Sequence, residues 1–213
     1  ADFPRLHPRL RERFGFRSTD GIACIGTGTM DEVWRGRGFT RPFLAMAARR
    51  HILVAETGRD IPFTIHNYAY LDSFGRETMT FTRTFHFDSP RRWDATMVHS
   101  AERDTIVDYL GTHQHLAVDL HLSVDGRGGL VIRSGEQRLH EGIVNARVPR
   151  LVTGAALLRE SYDEEIDRFR IDVTVTNRWF GPLFGYRGTF DVSYAACDTV
   201  PAAVVPMREQ QRI

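Results

Sequence analysis

Residues 77–87 read ETMTFTRTFHF. Alternation makes this a β-strand, with Met79, Phe81, Phe85 and Phe87 on one face and Thr78, Thr80, Thr82, Thr84 and His86 on the other. Arg83 falls on the first face, between two phenylalanines. A guanidinium stays charged at any ordinary pH, so its place on the most apolar surface of the strand needs a reason. Arg83 is therefore the leading candidate for a functional residue.

The same alternation recurs on both sides of this stretch. Strands are predicted over 22–34, 61–71, 76–88, 91–99, 104–110, 115–124, 129–140, 153–161, 166–176 and 184–194. Short links such as DSFGRE, DSPRR, SAERD, VDGRGG and YDEEID carry turn chemistry and leave no room for parallel crossovers. About ten antiparallel strands, each with one apolar face, are expected to close into a calycin-like or similar β-barrel able to hold a ligand. A two-sheet sandwich is the competing architecture. Two short helices are predicted in the N-terminal half. One lies in HPRLRERFGF, with Pro8 at its first position and Gly15 at its stop; the other runs over 41–52 in TRPFLAMAARRHIL and would plug a barrel end. No repeat or linker divides residues 1–213, so one domain is expected.

Composition narrows the function. The 28 basic residues nearly cancel the 27 acidic ones, which argues against a nucleic-acid partner. Cys24 and Cys197 stand alone, without a C-x-x-C, so a reducing compartment fits better than a disulfide framework. No run reaches the roughly 18 apolar residues of a membrane span. The opening ADFPRLHPRL lacks a signal peptide's pattern, although an initial Ala allows for a removed leader. A cytoplasmic protein with no membrane partner is the expectation.

Polar residues on apolar faces supply the candidate site. Asp108 shares a face with Ile106 and Leu110; Glu136 shares one with Leu130 and Ile132, unless Gly135 introduces a bulge that resets the register. With Arg83 these are inward candidates from three strands. They form either a structural ion pair or a site in which Arg83 presents its donors to an anionic or carbonyl group. Phe81, Phe85, Trp93, Met97, Phe184, Tyr186 and Phe190 are the expected apolar lining. In strand 61–71, His66 and Tyr68 oppose Phe63, Ile65 and Asn67; whichever face is inside, His66 with Tyr68 is a candidate acid–base pair. The aromatics of NRWFGPLFGYRGTF (177–190) either close the barrel bottom or rim a pocket, and 147–158 could form a lid.

Other chemistries are absent. In GTHQHLAVDLH (111–121), His113, His115, Asp119 and His121 share a strand face, and His-x-His with Asp119 resembles the first metal motif of cupins. The second motif is missing and the opposite, leucine-rich face is the better buried candidate. These histidines are expected at solvent, without a metal. IGTGTMDE (25–32) lacks the third glycine of a dinucleotide fingerprint, and no G-x-S-x-G elbow or P-loop occurs.

RLHPRLRERFGF (5–16), GTGTMDEVWRG (26–36), RDIPFTIHNYAYLDSFGRETMTFTRTFHF (59–87), DTIVDYLGTHQHLAVDL (104–120), IRSGEQR (132–138) and WFGPLFGYRGTFDV (179–192) together resemble a bacterial family, domain of unknown function 4166. Its members stand alone or lie C-terminal to saccharopine-dehydrogenase-like reductases. The resemblance implies a small-molecule context and a reductase partner, without catalytic residues to carry over. The expected function is a binding or carrier module, monomeric or homodimeric, for a small apolar or amphipathic molecule with an acidic or carbonyl group. The alternative is a cofactor-independent isomerase, cyclase or lyase with Asp108 or Glu136 as base and Arg83 stabilising an oxyanion. A third reading is a solid-cored interaction domain. No cofactor is expected in any of these.

Overall fold

The strand carrying Arg83 is one stave of a closed wall. The computed structural model describes residues 2–38, 44, 48–141, 144–148 and 153–213. Among the described residues eleven strands occur: β1 (Ile22–Arg35), β2 (Gly58–Leu71), β3 (Glu77–Phe85), β4 (Arg91–Ser100), β5 (Thr105–Leu110), β6 (Leu116–Val124), β7 (Leu130–Glu141), β8 (Val144–Arg147), β9 (Ala155–Asp163), β10 (Arg168–Asn177) and β11 (Gly181–Ala196). Every pairing is antiparallel. Strands β1 to β7 run in sequence order, β9 to β11 continue the ring, and β11 returns to β1. Ten strands therefore close a barrel, as the alternation predicts, and β8 lies outside the ring as a partner of β7 alone. Closure satisfies every edge of the ring with a neighbour.

Close approach of β1 to β11 depends on glycine. A Cβ on Gly28 would lie 2.1 Å from the Thr189 carbonyl oxygen, and one on Gly188 would lie 2.2 Å from that of Thr29. Any other residue would force the two strands apart where the wall bends.

The interior is packed unevenly. Phe63, Phe85, Phe184, Tyr186 and Phe190 from β2, β3 and β11 form one aromatic mass, with centroids 5.1 Å apart for Phe63–Phe85 and for Phe85–Tyr186. Trp93 joins it edge-on to Phe184 at 5.6 Å. The opposite wall, β5 to β7 with β9 and β10, carries smaller aliphatic side chains such as Leu116, Val118, Ile132, Leu158 and Val173. Space remains beside them.

Helix α1 (Pro8–Gly15) closes one end, with Pro8 and Gly15 at the predicted bounds. Its Leu10 and Arg13 are buried. Arg13 Nε donates to Glu160 Oε1 of β9 at 2.5 Å, and Nη1 donates to Asn67 Oδ1 at 2.8 Å and Cys24 Sγ at 3.4 Å. The guanidinium also lies 5.0 Å from the Phe190 ring centroid. Half of the helix predicted over 41–52 falls outside the described residues; residues 49–52 form a turn and a bend rather than helix, and Leu44 is buried against the barrel core.

A feature without a sequence signal is the C-terminal segment after β11, which crosses the outer face of β3 to β6. Thr80 Oγ1 donates to the Val204 carbonyl at 3.3 Å, Met207 N donates to the Thr112 carbonyl at 2.8 Å, and Tyr109 Oη donates to the Arg212 carbonyl at 2.6 Å. Ile213 packs on Val98, Val107, Tyr109 and Ala117. The outward threonines Thr78, Thr80 and Thr96 are consequently buried.

A buried pair broken on one side leaves an uncompensated charge. Arg13→Ala is therefore expected to lower stability by about 3–5 kcal/mol, read as a lower urea midpoint at unchanged m-value. The double substitution Arg13→Met with Glu160→Leu should recover most of that loss.

Candidate functional site

The uneven packing leaves a cavity of about 990 Å3 between the aromatic mass and the aliphatic wall. Leu110, Leu116, Val118, Leu120, Ile132, Leu158, Val173 and Val175 supply most of its surface, and Leu44, Phe180 and Leu183 also line it. Arg83, Trp93, Met97 and Asp108 enter it from three adjacent strands, β3, β4 and β5. Register explains the meeting: Arg83 lies opposite Trp93, and Met97 opposite Asp108, so alternation turns all four to the same side.

Arg83 is 4% exposed. Its guanidinium carbon lies 4.9 Å from the Trp93 ring centroid and 5.5 Å from that of Phe81, so aromatic rings cover the planar group. Its polar edge is different. Arg83 Nε and Nη1, Trp93 Nε1 and Asp108 Oδ1 are buried polar atoms without a hydrogen-bond partner among the described residues. Burial pushes the Asp108 carboxyl up to about 6, against the pull of the Arg83 charge and of the Thr96 backbone. Tyr186, packed behind Arg83, is pushed up to about 12 by burial, with the same guanidinium opposing.

Most other polar groups at the cavity are engaged with the wall. Ser134 Oγ accepts from Ala156 N at 2.7 Å, and Gln137 Nε2 donates to the Gly154 carbonyl at 2.5 Å. These side chains stand in for a missing ladder. Strand β7 pairs with β9 only as far as Arg133, and with β8 only from Arg138 onward. Asn177 Oδ1 accepts from Trp179 N and Phe180 N, which fixes the turn that brings Phe180 to the cavity.

Several expected site residues lie elsewhere. Glu136 is not at the cavity. Between Val118 and Leu120 of β6 the partner strand advances three residues, from Gln137 to Ser134, so the bulge at Gly135–Glu136 turns Gln137 inward in its place. Glu136 instead accepts from Arg138 Nη1 at 3.0 Å and pairs with Arg147 at 3.2 Å. His66 and Tyr68 are also displaced from the interior. Phe63, Ile65 and Asn67 take the inside of β2, which sends His66 and Tyr68 to the outer face with their side chains 3.4 Å apart. Burial, then the Arg92 charge, lowers the His66 pKa.

Phe81 lines a smaller adjoining cavity, whereas Phe85, Phe184, Tyr186 and Phe190 are buried in the aromatic mass rather than at open space. Of the turn aromatics, Phe180 reaches the cavity and Trp179 is 65% exposed. Residues 149–152 of the expected lid lie outside the described residues, and 155–158 belong to β9. His115, expected at solvent, is buried; Arg50, Glu141 and Arg208 surround its ring. Asp119 is buried between Arg103 and Arg138. Among the described residues no three potential metal ligands converge, and no helix is long and apolar enough to cross a membrane.

Sequence comparison agrees with the resemblance carried by the motifs. The chain is 33% identical over 186 residues to the uncharacterized protein YndH of Bacillus subtilis (strain 168), covering 87% of this chain and 90% of that protein. No solved structure matches. The model of the family described as domain of unknown function (DUF4166) matches residues 6–190, from the start of the α1 plug to Phe190 of β11, and the chain belongs to that family.

Proposed function

We propose that this protein is a binding or carrier module that holds a small apolar or amphipathic molecule with a polar oxygen inside the barrel. One observation carries the reading: an apolar cavity of about 990 Å3 is bordered by a buried guanidinium with two unpartnered N–H-bearing nitrogens. Buried donors normally find partners, and a charged donor left without one is costly. A ligand oxygen placed against Arg83 Nε and Nη1, with the Trp93 indole N–H nearby, satisfies those donors while the rest of the molecule fills aliphatic space. Many apolar contacts with a few convergent polar groups are the usual composition of such sites.

Asp108 sets how that oxygen is received. With its midpoint raised to about 6, the carboxyl accepts from a ligand hydroxyl when ionised and donates to a ligand oxygen when protonated in mildly acidic solution. The same property supports a second reading, a cofactor-independent isomerase, cyclase or lyase. Asp108 would abstract a proton beside a carbonyl while Arg83 stabilises the enolate-like oxygen. Under the carrier reading Asp108→Asn still binds; under the catalytic reading it binds without turnover.

Arg83→Met is expected to remain folded, because Nε and Nη1 lose no protein hydrogen bond and Asp108, deprived of the guanidinium, can stay protonated. Its affinity for a long-chain ketone or fatty acid, measured by displacement of an apolar fluorescent probe, should fall about ten- to hundredfold. A collapse in melting temperature with no ligand bound by the unaltered protein would instead make Arg83 a purely structural residue.

A raised Asp108 pKa also gives stability a pH slope. Between the ordinary value of 3.8 and about 6 the unfolded chain has released a proton that the folded chain keeps. Stability therefore falls as pH rises through that window, by up to about 3 kcal/mol, and levels off above it. Denaturant titrations should show Asp108→Asn gaining on the unaltered protein from pH 4 to pH 6 and no further beyond. An advantage that shrinks with rising pH would mean that Asp108 is held ionised.

A further inference from the structure

Arg83 borders two cavities rather than one. On the α1 side of the guanidinium a smaller chamber of about 270 Å3 lies between the barrel and the N-terminal segment. Leu6 and Phe14 cover it, and Ala69, Met79 and Ile106 form part of its wall. The two chambers share Arg83, Met97, Ile132 and Leu158. Arg83 and Met97 come from β3 and β4, while Ile132 and Leu158 are a register pair on β7 and β9 across the barrel. These four side chains form a waist. At the far end of the small chamber Arg13 Nε is paired with Glu160 while its Nη2 has no partner among the described residues; at the waist itself the unpartnered donors are those of Arg83.

Resting on the binding reading above, we propose that the ligand threads this waist. It is a chain-like molecule with an internal carbonyl oxygen, a ketone or an ester, set off-centre. The carbonyl meets Arg83, a long apolar arm fills the 990 Å3 chamber and a short one enters the 270 Å3 chamber. Valence decides between polar groups: a carboxylate ends a chain and would occupy only one side of the waist, whereas a ketone or ester carbonyl continues in both directions. Asp108 borders the same space and opposes a second negative charge there once it is ionised. The unequal chambers set the unequal arms.

Long-chain ketones of one carbon count, differing only in carbonyl position, test this by displacement of an apolar fluorescent probe. Affinity should peak at an interior position nearer one end, with the terminal methyl ketone weaker by about tenfold because the small chamber then goes unfilled. Ala69→Phe, which fills the small chamber, should move the optimum toward the chain end; Met79→Trp serves if that variant does not fold. A terminal optimum, or an optimum that neither substitution moves, overturns the two-armed ligand and leaves the binding reading standing. Failure of every isomer to bind the unaltered protein overturns the two-armed ligand, and the binding reading falls with it when fatty acids also fail to displace the probe.

Discussion

A guanidinium held inside an apolar barrel is the constraint around which the rest of the structure is arranged. Arg83 cannot become neutral, so its environment has to compensate for lost water. Trp93 and Phe81 supply ring faces, and Asp108 supplies a nearby opposite charge. None of these satisfies the Nε and Nη1 hydrogens. Arg13 shows a largely compensated alternative in the same barrel: its Nε and Nη1 bond Glu160, Asn67 and Cys24, and only Nη2 is without a partner among the described residues. One buried arginine ties the α1 plug to the wall, and the other borders the cavity with Nε and Nη1 unpartnered.

Side-chain size divides the interior. A barrel of ten strands is wide enough that its centre must be filled by large groups or left hollow. Aromatic residues from β2, β3 and β11 fill one side, while β5 to β7, β9 and β10 place Leu, Ile and Val where rings would be needed to meet them. The cavity thus follows mainly from residue choice on one wall. The bulge at Gly135–Glu136 and the exchange of β9 for β8 beside β7 add a local opening that Ser134 and Gln137 hold with their side chains.

Much of this was legible in the sequence because a strand records its two faces at a fixed period of two. ETMTFTRTFHF placed Arg83 inside, and TIVDYL placed Asp108 beside it, because both strands keep unbroken register with their neighbours. Glu136 failed the same test for a local reason: one extra residue in β7 reversed the alternation after Ser134. His66 and Tyr68 could not be placed because both faces of strand 61–71 hold residues that tolerate burial. The burial of His115 and Asp119 was invisible for another reason. What covers the outer wall there includes the C-terminal segment, whose residues bond largely through backbone carbonyls and carry no periodic pattern. The cavity's volume, a matter of three-dimensional packing across the barrel, has no linear signature.

The C-terminal segment lies on the reverse of the strands that carry Arg83, Trp93, Met97 and Asp108. Only one thickness of backbone separates the segment from the interior: Thr80 and Thr82 face outward on the strand that sends Phe81 and Arg83 inward. A tag, a proteolytic cut or a fused neighbour beyond Val200 would thus act on the back of the wall whose front lines the cavity. The cavity and the chain's last dozen residues lie on opposite faces of the same three strands.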